Sequence, residues 1–393
     1  MIGPSLAGFT STGSKRPGAL WGSQWGGALE VRGGPLPIRM SRSAGARLWD
    51  DQGREYLDFL MGLGAVSLGY ADPAVTAAAE DAIRRGGIGS LAPVEEEALA
   101  GRLRELFPWL ERIRFLKTGA EAVAAAVRLA RAATGRDRVL GCGYHGWHDL
   151  ASTDPGVPIA VRALYQKIGF NDPDGARQTI REVGDELAAV VVEPVVDGPP
   201  SVDWLECLRD ACHAVGSVLV FDEIKTGFRV AVGGAVERWG IRPDLVVFGK
   251  ALGNGFPIAM VGGRADLMEQ VHRTWISSTL ATEFVALAAA RAAVQRTIAA
   301  RVPEHLGRVG AALLTGFGAL AEEFPGLVAG AAGMPEMGFV RFVDEATGAR
   351  VAAGMARRGV LFKRNAYNFV SHAHGMAEVD ACLAALSETL GEG

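Results

Sequence analysis

Four cysteines in 393 residues, none of them in a CxxC pair, exclude a disulfide framework and a structural zinc cluster. Cys142, Cys207, Cys212 and Cys382 are dispersed and read as free thiols, which suit the cytoplasm. No apolar run is long enough to cross a membrane, because Arg or Glu interrupts even the Ala-rich stretches. Residues 1–34 lack the basic start and apolar core of a secretory signal. Positive charge is not in excess either. A net charge of −4 implies no basic face, so neither nucleic acid nor an anionic membrane is an expected partner. Lysine is the scarcest cation: Lys15, Lys117, Lys167, Lys225, Lys250 and Lys363 are all there is, against many arginines. A Schiff base needs an amine that can lose its proton, which arginine cannot supply, so only these six positions could form one.

What is present is an ordinary globular composition, 49% hydrophobic and 21% charged, in a chain long enough for a large domain and a smaller one. Residues 1–34 read as an irregular arm. Gly45–Asp50 and Arg54–Phe59 read as short strands around the turn Asp51-Gln52-Gly53. From about residue 73, helical and strand patterns alternate. Helices are expected at Val75–Arg85, Val94–Leu106, Ala120–Ala133, Ala176–Glu182 and Trp204–Val215. Strands are expected at Ile113–Leu116, Arg138–Cys142, Leu187–Glu193, Val218–Asp222 and Leu245–Phe248. Continuous Val/Leu/Ile runs joined by helical crossovers indicate an α/β fold with a mostly parallel sheet covered on both faces. A long Ala-rich helix (Glu283–Ala300) changes the texture. An α+β region follows, with a helix at Glu304–Glu323, strands near Met337–Val343 and Val360–Phe362, and a last helix at Ala377–Leu390. The expected division is an arm and part of a small domain at 1–47, a large domain at 48–281 and a small domain at 282–393.

Ligands of open parallel sheets bind at the carboxyl ends of the strands, and three such ends carry unusual residues. Leu116-Lys117-Thr118-Gly119-Ala120-Glu121 is a strand, a small-residue turn and a helix start, which suits a phosphate; it equally suits a plain connection. Val218–Asp222 runs from four apolar residues into the carboxylate pair Asp222-Glu223. A buried Asp there could face a pyridinium N–H, cap a helix or pair with an arginine. Leu245–Phe248 delivers Lys250 into a turn flanked by Gly249, Gly253 and Gly255, where close backbone approach favours a site over a surface lysine.

Taken together these segments resemble the class III, fold type I aminotransferases, in particular the group around glutamate-1-semialdehyde aminomutase. The resemblance is carried by Arg47-Leu48-Trp49-Asp50 with Tyr56-Leu57-Asp58, by Thr118-Gly119-Ala120-Glu121-Ala122, and by Tyr144-His145-Gly146-Trp147-His148-Asp149. It continues through Glu193-Pro194-Val195, Phe221-Asp222-Glu223-Ile224 with Thr226-Gly227-Phe228-Arg229, and Pro243-Asp244 through Gly249-Lys250. It covers most of the chain from about Ala44.

The resemblance implies pyridoxal 5′-phosphate (PLP) as cofactor, no metal, and a ping-pong transfer of an amino group between an amino donor and a carbonyl acceptor. It implies that Lys250 carries the Schiff base and later moves the proton, and that Asp222 pairs with the pyridine nitrogen. Tyr144 and Ile224 would flank the ring. Thr118, Gly119 and Ala120 would hold the phosphate. Glu193 would stand behind the site as an acid, with His145 and Lys225 also among the cofactor-binding residues. Thr279, in Ser278-Thr279-Leu280, matches a threonine that reaches the phosphate of a partner subunit, which implies a homodimer with a shared active site.

Three departures bear on substrate. The phosphate turn has Ala120 where a second hydroxyl is usual and Lys117 where asparagine is usual. Lys225 stands where relatives carry Gln or Met. Lysine at that place resembles racemases of the class, so an aminomutase or amino-acid racemase stays open beside the transaminase, as does a solvent-facing lysine. The arm lacks a Ser-Pro-Val-Arg run, which argues against glutamate-1-semialdehyde as substrate. Trp21 and Trp25 could line the pocket or pack on the large domain, and Arg364 could bind a carboxylate or lie exposed.

Overall fold

The computed structural model describes residues 6–22, 30–31, 34–364 and 366–392. The chain divides into two compact units, one of Met1–Gly64, Leu68–Asp72 and Glu304–Gly393, the other of Ala65–Ser67 and Pro73–Pro303.

In the second unit the strands are β1 (Arg112–Leu116), β2 (Arg138–Cys142), β3 (Tyr165–Lys167), β4 (Leu187–Val192), β5 (Val218–Asp222), β6 (Leu245–Phe248) and β7 (Ala259–Gly263), of which all but β3 and β7 were expected from apolar runs. The helices are α1 (Pro73–Arg84), α2 (Val94–Leu106), α3 (Gly119–Thr134), α4 (Pro173–Val183), α5 (Val202–Val215), α6 (Gly234–Trp239) and α7 (Phe284–Ala299). The seven strands make one sheet in the order β1-β7-β6-β5-β4-β2-β3. β6, β5, β4, β2 and β3 are mutually parallel. β7 is antiparallel to both of its neighbours, β6 and β1. The sheet is therefore mixed but mostly parallel. β7 escaped the sequence reading because Ala-Met-Val-Gly-Gly is short and glycine-rich.

Every residue of β4, β5 and β6 is buried. Alternate side chains feed two cores. Val190, Val192, Leu219, Phe221, Val246 and Phe248 join the α4 and α5 faces. Ala189, Val191, Val218, Val220, Leu245 and Val247 join the buried stripe of α3. A strand covered on both faces has no polar side, which is why these runs read as continuous rather than alternating.

In the first unit, Met40–Ala44, Arg47–Asp50 and Glu55–Asp58 form antiparallel neighbours, and Val360–Leu361 adds in parallel beside Glu55–Asp58. A second sheet contains Val328–Met334, Met337–Phe342 and Asn368–Phe369. The division between units differs from the expected one at both ends. Within residues 48–64, Leu57 and Asp58 pair with a strand some 300 positions later in the chain, and α7 packs on α1 and α2, while Phe284 N–H donates to the carbonyl of Gly87, between those two helices, at 2.8 Å. Neither partnership leaves a local mark on the sequence.

The arm is not wholly irregular: Pro17–Trp21 is a short helix. Trp21 is buried within the first unit, its indole N–H donating to the Pro37 carbonyl at 3.2 Å. Trp25 lies outside the described residues. Arg364 is not exposed. It is 7% accessible, pairs with Glu345 and donates to the carbonyls of Leu20 and Gly18. Its donors are thus engaged in tying the helix Pro17–Trp21 to the rest of its unit.

Candidate active site

The carboxyl ends of β1, β2, β4, β5 and β6 lie along one edge of the sheet of the second unit, and the singled-out residues come together there. Asp222, at the end of β5, is 2% accessible. A carboxylate placed so deep must be satisfied by neighbours. Its Oδ2 lies 2.8 Å from His145 Nδ1, and its Oδ1 accepts the Ile224 N–H at 3.2 Å. His145 is buried as well, and its Nε2 has no hydrogen-bond partner among the described residues. Sequence reading placed His145 in the site without this contact. The density of aromatic and histidine side chains in Tyr144-His145-Gly146-Trp147-His148 was the available signal.

The adjacent carboxylate turns the other way. Glu223 accepts the N–H groups of Ala235 and Val236 at 2.9 Å each and pairs with the Thr226 hydroxyl, so it caps the start of α6. Burial, opposed by those hydrogen bonds, raises its carboxyl from 4.5 to about 7. The folded chain then keeps a proton that the unfolded chain gives up. The stability this contributes is complete below the unfolded value and is lost as pH rises through about 7. It amounts to about 3 kcal/mol. Glu223→Gln is expected to flatten this part of the curve. The check is the melting temperature of wild type and variant from acid to neutral pH, and parallel curves would contradict the assignment.

At the end of β1, Thr118 caps α3 in a reciprocal box: its hydroxyl accepts the Glu121 N–H at 3.2 Å, while Glu121 Oε2 accepts the N–H groups of Thr118 and Lys117. The box consumes the Thr118 hydroxyl and leaves the N–H groups of Gly119 and Ala120 for a ligand. A Cβ added at Gly119 would lie 2.4 Å from Ile224 Cδ1, so the Ile224 side chain would have to shift to admit it. Lys117 pairs with Glu283, the residue that caps α7. Its replacement of asparagine therefore ties the turn to that helix.

Lys250 follows β6 at the one-residue step of Gly249. Its φ of 46° lies in the left-handed region, a conformation non-glycine residues adopt at a cost and one that concentrates at functional sites. Burial lowers its amine below the ordinary 10.5, with Lys225 and Arg229 acting in the same direction and Glu193 and Asp222 opposing. Ile224 packs between the two turns, within 3.6 Å of where a Gly249 Cβ would stand. Glu193, just past β4, holds Lys225 Nζ at 3.0 Å and accepts the Tyr144 N–H at 2.9 Å. Lys225 is only 7% accessible, so the solvent-facing alternative is excluded.

Two named residues are less enclosed. The Tyr144 side chain is 72% accessible. Thr279 is exposed in a short 3₁₀ turn, and its carbonyl accepts the Thr282 hydroxyl.

The donor set suits PLP: a buried carboxylate for a ring N–H, helix N-terminal amides for a phosphate, a glycine packed against Ile224 at that turn, and a lysine amine biased toward neutrality. Among the described residues no group of three His, Cys, Asp or Glu side chains could hold a metal.

Comparison with known proteins bears on the family and the fold. The family described as Aminotransferase class-III matches residues 28–390. The FumI protein of Sphingopyxis sp. MTA144, solved in a PLP form, is 26% identical with a TM-score of 0.87, covering 96% of each chain. An omega-transaminase from Sphaerobacter thermophilus is 28% identical with a TM-score of 0.80, covering 92% of each chain. A glutamate-1-semialdehyde aminomutase from Pseudomonas aeruginosa PAO1, at 23% identity and a TM-score of 0.80, shares the fold over 91% of this chain and 88% of its own.

Proposed function

Because this chain belongs to the class III aminotransferases, PLP-dependent enzymes of fold type I, we propose that Lys250 holds the cofactor as a Schiff base. The enzyme moves an amino group between an amino donor and a carbonyl acceptor. Bound PLP supplies an electron sink for the negative charge that develops at the substrate carbon. Asp222, fixed by His145, would meet the ring nitrogen and favour its protonated form. The amides of Gly119 and Ala120 would hold the phosphate beside Thr118. Ile224 and Tyr144 would flank the ring, with Glu193 and Lys225 behind it. Lys250 Nζ would serve as the base that moves the proton of the substrate carbon. The observation that supports this reading is that three strand ends meet at Ile224: its N–H donates to Asp222, and its side chain lies against Gly119 and against Gly249, the residue before Lys250.

The working unit is a homodimer in which Thr279 reaches the partner's phosphate site. Leu91, Trp147, Trp275 and Leu280 are large apolar side chains left exposed, at 87%, 74%, 87% and 60%, which supports a covering subunit. Thr279→Ala is expected to weaken PLP binding about tenfold without changing the sedimentation of the dimer; unchanged affinity would remove Thr279 from the site. Four free, buried cysteines support a reducing compartment, the cytoplasm. Among the described residues no helix is long and apolar enough to cross a membrane.

The test is a panel of amines mixed singly with purified enzyme while the visible band of bound PLP is followed. Transamination requires a stable loss of that band with stoichiometric release of a carbonyl product. Inversion of an amino acid with no carbonyl release would establish racemization instead, and an isomer that keeps its amino group would establish an aminomutase.

A further inference from the structure

The Glu193–Lys225 ion pair is the part of the site that transamination as such does not call for. Both side chains are enclosed, 13% and 7% accessible, with Nζ and Oε1 3.0 Å apart. The pair is pinned from a second side, because Glu193 Oε2 accepts the Tyr144 N–H at 2.9 Å. Gly143, with φ at 109°, presses the end of β2 against the same carboxylate: an added Cβ would lie 2.6 Å from Oε2. Lys225 is also one residue from Ile224, whose side chain occupies the space where a Gly119 Cβ would stand and lies 3.6 Å from where a Gly249 Cβ would stand. Two opposite charges are therefore held in fixed places beside the turn that carries Lys250.

The charged groups that act on Lys250 follow β4 and β5: Glu193 after β4, and Asp222, Lys225 and Arg229 at or after the end of β5. Around these, Cys142 closes β2 and feels Glu193, Lys225 and Asp197, and His145 contacts Asp222. Glu223 is committed to α6. Burial is the largest influence on the Lys250 amine and pushes it toward the neutral form. Glu193 opposes, Lys225 reinforces, and Asp222 and Arg229 follow with opposite signs. Asp222 is needed at the ring nitrogen, so Glu193 and Lys225 are the charges that are free to be set.

We propose that the Glu193–Lys225 pair is a positioning element for Lys250, two pinned opposite charges that decide how readily the lysine, and the Schiff base made from it, keeps its proton. Each member acts strongly on its own and the two nearly cancel together. A neutral glutamine or methionine at position 225 would leave Glu193 unbalanced, so the cation and the acid belong together in this chain.

This rests on Lys250 being the cofactor-bearing lysine, so the experiment begins by reducing the holoenzyme with borohydride and mapping the labelled peptide. A label on another lysine overturns the site assignment itself. With the label on Lys250, the visible band is titrated with pH in Lys225→Met, Glu193→Gln and the double variant. Lys225→Met is expected to raise the midpoint by about one pH unit, Glu193→Gln to lower it, and the double variant to return close to wild type. Lys225→Arg, which retains the cation and should fold if Lys225→Met does not, is expected to stay near the wild-type midpoint. A cofactor-free readout runs in parallel. Labelling of Lys250 in the apoenzyme by trinitrobenzenesulfonate, read by peptide mass spectrometry near neutral pH, is expected to slow about tenfold in Lys225→Met and to quicken in Glu193→Gln. A Lys225→Met midpoint that stays or falls, or a Glu193→Gln midpoint that rises, would overturn the inference. A merely structural pair would weaken folding in both variants without moving the midpoints in opposite directions.

Discussion

Lys250→Ala is expected to lower turnover by at least about 10³-fold and to abolish borohydride labelling of the peptide that contains residue 250. Within its own unit, none of the other three lysines is placed to substitute. Lys117 is paired with Glu283, Lys225 is paired with Glu193, and Lys167 is exposed on the edge strand β3. Lys250→Arg is expected to be as inactive as the alanine variant, because a guanidinium does not give up its proton at any working pH. That comparison separates the need for a nucleophilic amine from the need for a positive charge. Half-reaction kinetics at saturating PLP provide the measurement. Retention of more than a few per cent of wild-type turnover in either variant would remove Lys250 from its role.

The second large effect is expected at Asp222. Asp222→Asn keeps the shape of the side chain and a possible contact with His145, but removes the negative charge that a protonated ring nitrogen needs. The loss in kcat is expected to be about 10²–10³-fold, the range seen when one well-placed electrostatic partner is deleted from a buried site. PLP affinity is expected to fall less, since the phosphate turn and Lys250 remain. The KM-against-kcat split is the informative quantity: a rise in KM with kcat unchanged would mean that Asp222 serves binding alone. His145 is the reason the effect should exceed that of an exposed pair. With both side chains almost wholly enclosed, solvent cannot replace the lost charge.

Much of the second unit was legible in the residue order. β2, β5 and β6 and the helix α2 have the bounds that periodicity indicated, and the other anticipated elements differ by one to three residues at their ends. The strands could be read because burial on both sheet faces demands apolar residues at every position. Lys250, Asp222 and the Gly119 turn could be read because each interrupts such a run in a way that packing alone does not explain. Less legible were the features that depend on distant partners. β7 is short and carries two glycines, and it became a strand only because β1 and β6 lie open on either side of it. Arg364 looked like a surface residue or a carboxylate ligand until the carbonyls of Gly18 and Leu20 and the Glu345 side chain enclosed it. Lys225 looked equally able to face solvent.

By itself, the amino-acid order determined which local segments pair their backbone internally and which strand ends carry an amine, a carboxylate and a phosphate turn. Those properties follow from periodicity and residue chemistry over a few neighbours. The tertiary structure decided that Asp222 meets His145 while the adjacent Glu223 caps α6, that Glu193 holds Lys225 as a buried charge, and that residues 48–64 belong with the C-terminal region. Each of these depends on atoms brought together from tens or hundreds of residues apart, and charge and burial act through space rather than along the chain.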